Sequence, residues 1–519
     1  MRDVLIGIDA GTSVIKSIAF DLEGNQLAVA ALPNRYETID GRGAEQDLAR
    51  TWQDTATTLR QLGEKVPDLA RRTAAVSVTG QGDGTWLIDR DGKPVGKGWL
   101  WLDARAADIV EQIRAREDAD ALRYSRTGSG LAACQQGPQL ALMAQTAPER
   151  LQQAATAFHC KDWLYFCMTG ERATDPSEGC FTFGDFRSRS YSDDVIEVLG
   201  LKHLKHLLPP IVDGSRQSAE LSPGAADASG LLAGTPVVLG YVDVVCTALG
   251  VGLFDRTARP GCSIIGSTGM HIRLAPTAGD VRLGSGRTGY TMCLPAPDAY
   301  AQCQTNMAAT LNIDWVLGLA NDVLSDFGLP QDRSVMLALV NKWFEAGKPG
   351  AILYHPYISE AGERGPFTDA SASASFIGLT SRHNYGDLVR AVVDGIAFAS
   401  YDCYSAMGEP PAEVRLSGGA ARSSAMRRIL GAVLNTHVRS SRREEAGAAG
   451  TAMIAAVGLG HYKSMEDCVA AWAAPLLGAA EAPDTGLATA YHKMFPSYLK
   501  ARQALKPVWH DMANARTKE

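Results

Sequence analysis

Residues 9–13, Asp-Ala-Gly-Thr-Ser, place a carboxylate, a glycine and two hydroxyls between two β-type runs, 4–8 and 15–20. Such runs around a glycine-containing turn predict a hairpin. Gly11 lets a ligand approach the backbone. The turn amides and the hydroxyls of Thr12 and Ser13 are donors suited to phosphate oxygens. Asp9 is suited to a divalent cation bridging those phosphates. An ordinary edge hairpin fits these residues equally well. A second carboxylate, Asp243, interrupts the apolar stretch 236–254. That stretch is long enough to span a membrane, but a central Asp costs roughly 2.5–3.5 kcal/mol in a membrane helix. The pattern predicts instead a buried strand, a turn at Asp243 and a helix. A carboxylate at such a strand end can accept a hydroxyl proton or cap the helix. Two further loops, 79–84 (Thr-Gly-Gln-Gly-Asp-Gly) and 417–420 (Ser-Gly-Gly-Ala), follow apolar strands. Ligands of α/β folds gather at such strand ends, and glycine pairs admit a nucleotide to the next helix N-terminus.

These groups need a framework to hold them. A chain of 519 residues predicts two or three domains. Its 46% hydrophobic and 21% charged residues are ordinary globular values. A net charge of −7 argues against an electrostatic nucleic-acid binder. Ten cysteines without a CxxC pair or Cys/His ligand spacing predict a reduced, cytoplasmic protein with no zinc site. The N-terminus runs at once into a strand, which reads as no signal peptide. No membrane or nucleic-acid partner is expected.

Strand, loop and helix recur throughout, which predicts an α/β protein. A third strand, 26–31, completes a meander with the hairpin. A helix is predicted over 48–62, strands over 74–79 and 99–103, and a helix from about 138. Residues 161–168 read as an amphipathic helix and 175–178 as a polar loop. The second half opens with strand 262–266, turn 267–269 and return strand 270–274, repeating the plan of the first hairpin. Helices follow at 306–319, 333–346 and 387–407, a strand at 414–416, and helices from 423, over 447–458 and over 487–505.

Together these pieces resemble the FGGY family of carbohydrate kinases over nearly the whole chain. The motifs stand in family order: DAGTS 9–13, TGQGDG 79–84, WLDAR 101–105, GYVD 240–243, GSTG 266–269, GERGP 362–366 and SGGAARS 417–423. Residues 374–394 fit the longer family pattern. The resemblance implies two actin-like (ribonuclease H-like) ATPase domains with an intervening cleft. Residues 1–254 would form the N-terminal domain, carrying the polyol site and the base, and 255–519 the C-terminal, nucleotide-binding domain. It implies transfer of a phosphoryl group from ATP to a sugar or polyol hydroxyl, with Mg²⁺ as the cation.

Residue by residue, the resemblance implies Asp243 as general base and Asp9 as the Mg²⁺ carboxylate. Gln81, Asp83, Asp103 and Asp243 would contact the acceptor. Gly11, Thr12, Ser13, Thr268 and Gly269 would approach the phosphates, and Gly418, Gly419 and Ser423 the nucleoside. There are departures. Gln139 stands where an earlier family signature has a lysine. Gly82 and Asp83 stand where glycerol-directed members carry Arg-Glu and xylulose-directed members Met-His. The runs 160–164, 174–187 and 206–214 are similar to the erythritol-directed branch, so erythritol is the expected acceptor. Another polyol or ketose (xylulose, ribulose, a pentitol) is the alternative, as is a non-catalytic sugar sensor on the same fold. An actin-like assembly ATPase would share the phosphate turns but has no use for a strand-end base. A homodimer is an assembly left open.

Overall fold

The computed structural model describes residues 2–516. Strands β1 (Val4–Ala10), β2 (Val14–Asp21) and β3 (Gln26–Pro33) form the antiparallel meander, with Asp9 opposite Lys16. Asn34 braces the first turn by donating from Nδ2 to the Gly11 carbonyl at 2.8 Å. β4 (Thr73–Gly80) is buried throughout and runs parallel to β1. β5 (Ala219–Glu220) and β6 (Pro236–Leu239) complete a sheet of order β5-β6-β4-β1-β2-β3. The second sheet contains β7 (Gly261–Ile265), β8 (Gly269–Ala275), β9 (Tyr290–Cys293), β10 (Tyr300–Asn306), β11 (Glu413–Ser417) and β12 (His437–Ser440). Its order is β9-β10-β8-β7-β11-β12. In each sheet a first strand pairs antiparallel with its hairpin partner on one side. On the other side it pairs parallel with a later strand, β4 or β11. The repeated plan read from the sequence is therefore a repeated topology.

The helices used below are α1 (Leu48–Lys65), α2 (Gln136–Thr146), α3 (Cys160–Thr169), α4 (Pro176–Phe183), α5 (Asp243–Gly250), α6 (Thr310–Asp326), α7 (Arg333–Ala346), α8 (Tyr385–Ala406), α9 (Ser424–Leu434) and α10 (Ala446–Gly458). Helix α1 starts where Asp47 accepts the Arg50 amide and buries Leu48, Ala56, Leu59 and Leu62.

Three local expectations change. Residues 99–103 pair only at Gly98–Trp99; beyond it the Asp103 amide turns back onto the Leu100 carbonyl. Asn306 ends a strand rather than starting a helix, because its backbone is laddered opposite Gly269. The polar loop at 175–178 is the entry of α4: Asp175 accepts the Ser177 amide at 2.7 Å, Pro176 takes the first turn, and all eight helix residues are buried.

Small residues bring α10 back against the first sheet. Ala448, Ala452, Met453 and Ile454 share a core with Leu5, Ile18, Val245 and Leu249. A Cβ at Gly450 would lie 1.8 Å from the Cys246 carbonyl oxygen, and one at Gly250 would lie 2.1 Å from that of Ala446. Helices α5 and α10 therefore touch backbone to backbone. All ten cysteines are free thiols. Among the described residues no helix is long and apolar enough to cross a membrane.

Candidate active site

A cavity of about 460 Å³ opens between the strand ends of the two sheets. Gly82, Asp83, Trp101, Glu178 and Asp243 line it from the first half, and Thr268, Gly269, Tyr290, Asn306 and Arg364 from the second. Asp243 is the first residue of α5, just past β6. The loop before it is held tightly: the Tyr241 carbonyl accepts the Thr79 hydroxyl at 2.6 Å, and the Val242 amide donates to Ser177 Oγ at 3.1 Å. One Asp243 oxygen accepts the Val244 amide at 2.7 Å. Burial, then the charges of Asp9, Glu178 and Asp83, push its pKa up to about 8.

Asp83 sits at φ +57° and accepts the Cys134 thiol at 3.4 Å. Its Oδ1 is buried without a protein partner. Burial pushes it up to about 6 against the pull of His159 and Arg364. Glu178, at the third position of α4, is 1% exposed, and neither of its oxygens has a hydrogen-bond partner. His159 Nε2 stands 3.4 Å from Glu178 Oε2. Beneath it Lys161 is buried between Asp162 (2.5 Å) and Asp175 (2.6 Å). Burial pushes Glu178 up to about 7.

Asp9 is the second-last residue of β1 and lies beside the entry of α10; a Cβ on Gly447 would lie 2.4 Å from its Oδ2. Burial, reinforced by Glu445 and opposed by Lys16, pushes Asp9 up to about 6. Lys16 itself is tied to Glu445 at 2.8 Å. Among the described residues no three His, Cys, Asp or Glu side chains gather to hold a metal alone. Asp9 and Asp243, each with a raised pKa and close enough for the charge of Asp9 to raise that of Asp243, fit Mg²⁺, which takes one or two carboxylates and completes its shell with water and substrate phosphate.

The turn at 9–13 and the loop at 79–84 are wired together. Trp101 Nε1 donates to Thr12 Oγ1 (2.7 Å), Thr12 donates to Gln81 (3.1 Å), and Gln81 donates to Gln46 (2.7 Å). Gln81, expected to touch the acceptor, has its Oε1 taken by Thr12 and its Nε2 given to Gln46. Asp103 is also placed away from the cavity. It is fully buried, accepts the Ala44 amide at 3.0 Å and forms an ion pair with Arg105, so its lone pairs are taken by protein donors. Gly11 and Ser13 occupy the braced turn beside Thr12, Ser13 being exposed. Thr268 is exposed in the corresponding turn of the second sheet. Gly418, at φ +86°, packs beside the end of β7, where a Cβ would meet the Ile265 carbonyl at 2.6 Å. Gly419 has open space in front of it. The Ser423 hydroxyl caps α9 by accepting the Met426 amide at 3.2 Å.

Glu178, Tyr290 and Arg364 are cavity residues that the sequence reading did not assign. For Glu178 a signal existed: Asp-Pro-x-Glu at 175–178 is a helix-start pattern, which would have moved the residue from a loop onto a helix beside the site.

Two sheets of one topology, with glycine turns from both facing a carboxylate-lined cavity, define a two-lobed actin-like ATPase fold. The profile of the FGGY family of carbohydrate kinases, N-terminal domain, matches residues 4–250, and that of its C-terminal domain matches residues 262–459. The chain belongs to the FGGY family and is a carbohydrate kinase, a phosphotransferase that uses ATP. It is 56% identical to an erythritol kinase of Brucella abortus (strain 2308), over 99% of this chain and 98% of that protein. It is 29% identical to a xylulose kinase of Escherichia coli (strain K12), over 82% and 84%. The fold matches a gluconate kinase from Lactobacillus acidophilus with TM-score 0.88 at 21% identity, over 98% and 99% of the chains. It matches a xylulose kinase from Rhodospirillum rubrum with TM-score 0.86 at 25% identity, over 98% and 100%.

Proposed function

We propose that the protein transfers the γ-phosphoryl group of ATP to a hydroxyl of erythritol. The observation that carries this reading is the single cavity into which Asp83, Glu178 and Asp243 all face. An acyclic polyol offers only hydroxyls, and buried carboxylates are the groups that need their protons. The 56% identity to an erythritol kinase over nearly the full length supports the same acceptor.

Asp243 accepts the proton of the attacking hydroxyl as the bond to phosphorus forms. Thr268 donates its hydroxyl to the phosphate oxygens from the second lobe, and the backbone amides of Thr12 and Ser13 donate from the first, with Gly11 and Gly269 letting the phosphates approach the two turns closely. Gln81 and Trp101 hold Thr12 in position. Gly418 and Gly419 leave room for the nucleoside. Asp9 would hold Mg²⁺, and the ion would supply positive charge against the phosphates. Residues 1–254 form the acceptor-binding domain and 255–519 the nucleotide-binding domain, with α10 crossing back to the first.

The protein works in the cytoplasm, a reading supported by its free thiols. Leu311, Trp315, Leu319, Val323 and Phe327 form an exposed i, i+4 stripe, 37–78% accessible, along α6 and its C-terminal end. That stripe supports a homodimer; light scattering at micromolar concentration checks it, a monomer counting against the stripe as an interface.

The experiment for the activity is a coupled ADP assay over erythritol, xylitol, xylulose, ribulose and glycerol. Erythritol is expected to give the highest kcat/KM, and Asp243→Asn to abolish turnover while ATP binding persists. Preference for a ketose, or near-normal turnover of the variant, would defeat the assignment.

A further inference from the structure

Gly82 and Glu178 come from distant parts of the chain and meet at one wall of the cavity. A Cβ at position 82 would lie 2.7 Å from Glu178 Oε1 and 2.5 Å from Val242 Cγ2. The bare backbone at 82 therefore makes the room in which the Glu178 carboxylate stands. That carboxylate is 1% exposed, and neither oxygen has a hydrogen-bond partner. His159 comes within 3.4 Å of Oε2, without the alignment of a hydrogen bond, and its Nε2 is unpaired as well. Next along the same wall, Asp83 Oδ1 is a third buried oxygen with no partner. Buried acceptors without donors are costly, and native proteins rarely keep them without a reason. Three on one cavity wall call for a ligand that brings several O–H donors.

Resting on the reading of this cavity as the acceptor site, we propose that Glu178 determines acceptor specificity. Its carboxylate, seated in the space left by Gly82, accepts hydroxyl hydrogen bonds from a fully reduced polyol. A ketose turns one of those hydroxyls into a carbonyl. Facing Glu178 and Asp83, the carbonyl oxygen would meet carboxylate oxygens, acceptors like itself. Arg364, the cation lining the cavity, lies beyond Asp83, with its Nη1 3.7 Å from Cys134 Sγ. Glu178 thus discriminates between an alditol and the ketose of the same carbon number, a distinction that chain length alone does not provide.

The test compares erythritol with erythrulose as acceptors for the wild type, Glu178→Gln and Glu178→Asp. Assays run at pH 8.5, above the value of about 7 to which burial moves Glu178, so that the wild-type group is a carboxylate. The amide of Glu178→Gln keeps the shape but replaces one acceptor by a donor. It is expected to raise KM for erythritol by about ten- to a hundredfold, with kcat and KM for ATP little changed. It should also lower the ratio of erythritol to erythrulose kcat/KM by at least about tenfold. Glu178→Asp should retain the wild-type preference at reduced affinity. A purely structural role would move both acceptors, and ATP, together. An active wild type whose acceptor preference is unmoved in Glu178→Gln overturns this inference alone. A wild type inactive on every polyol overturns the acceptor-site reading and this inference with it. Should Glu178→Gln fail to fold, Gly82→Ala tests the same point, because its methyl displaces the Glu178 carboxylate. It should lower the erythritol-to-erythrulose ratio likewise, and an unchanged ratio defeats the proposal.

Discussion

At the residue scale the proposed base, Asp243, makes the activity depend on pH through its environment. A general base works only when deprotonated. Burial and neighbouring carboxylates put the Asp243 pKa at about 8 in the free protein. The acceptor kcat/KM should therefore rise with pH and level off above about 8, read from a pH series at saturating ATP; a flat profile from pH 6 to 9 would contradict this. The linked stability has a definite sign. The ordinary value for such a carboxyl is 3.8, so between roughly pH 4 and 8 the native state binds a proton that the unfolded chain has released. The stability held by the neutral form is complete below the unfolded value and is lost as pH rises through the native one. Asp243→Asn should melt higher than the wild type at pH 8, with the gap closing towards pH 4. The sequence singled out Asp243 because a lone carboxylate interrupts an apolar run, and the structure places it at a helix start on the cavity. The Asp103 ion pair could not be read from the sequence, since whether Arg105, two residues on, folds back onto it depends on the turn at 100–103. Nor could the partners of Gln81, Thr12 and Gln46, because an amide in such a loop names neither.

Between elements, the tightest junction is the crossing of α5 and α10. It seats Asp243 at one helix start and sets the other beside Asp9. No side chain fits between Gly450 and the Cys246 carbonyl, where a Cβ would come within 1.8 Å. Gly450→Ala must separate the helices or bend one of them. Overpacking of this kind costs about 1–3 kcal/mol, and more where backbone opposes backbone. Thermal denaturation should show a fall of several degrees, together with a rise in KM for Mg·ATP as Asp9 loses its backing. A melting temperature equal to the wild type would show that the crossing is loose. The sequence announced a helix of small residues here, and the repeated hairpin plan, because both are local patterns. It gave no sign that the partner of α10 would be a helix some 200 residues earlier, since small-residue packing names no partner. The start of α4 was hidden by its polar composition. Asp175, Pro176 and Ser177 are typical of loops and of helix entries alike, and burial of the whole helix decides between them.

For the molecule as a whole, the distribution of contacts between the lobes decides how the cleft can move. Near the cavity the halves are stitched together: Gly130 donates to the Gly289 carbonyl at 2.7 Å, Thr291 donates to Ser129 Oγ at 3.1 Å, and Arg287 pairs with Asp120 at 3.1 Å. The returning helix α10 makes a second tie through the shared core. Among the described residues, no hydrogen bond joins the turn at 9–13 to those at 266–269 or 418–419. If the turns bind the triphosphate as proposed, that ligand would bridge the side on which they are not joined, and closure there would exclude water that competes with the polyol for the phosphoryl group. The radius of gyration should fall when a non-hydrolysable ATP analogue, Mg²⁺ and erythritol are all present, and fall less with erythritol alone. Superimposable small-angle scattering curves with and without the full set of ligands would mean that the lobes are fixed, and that protection from hydrolysis has another source.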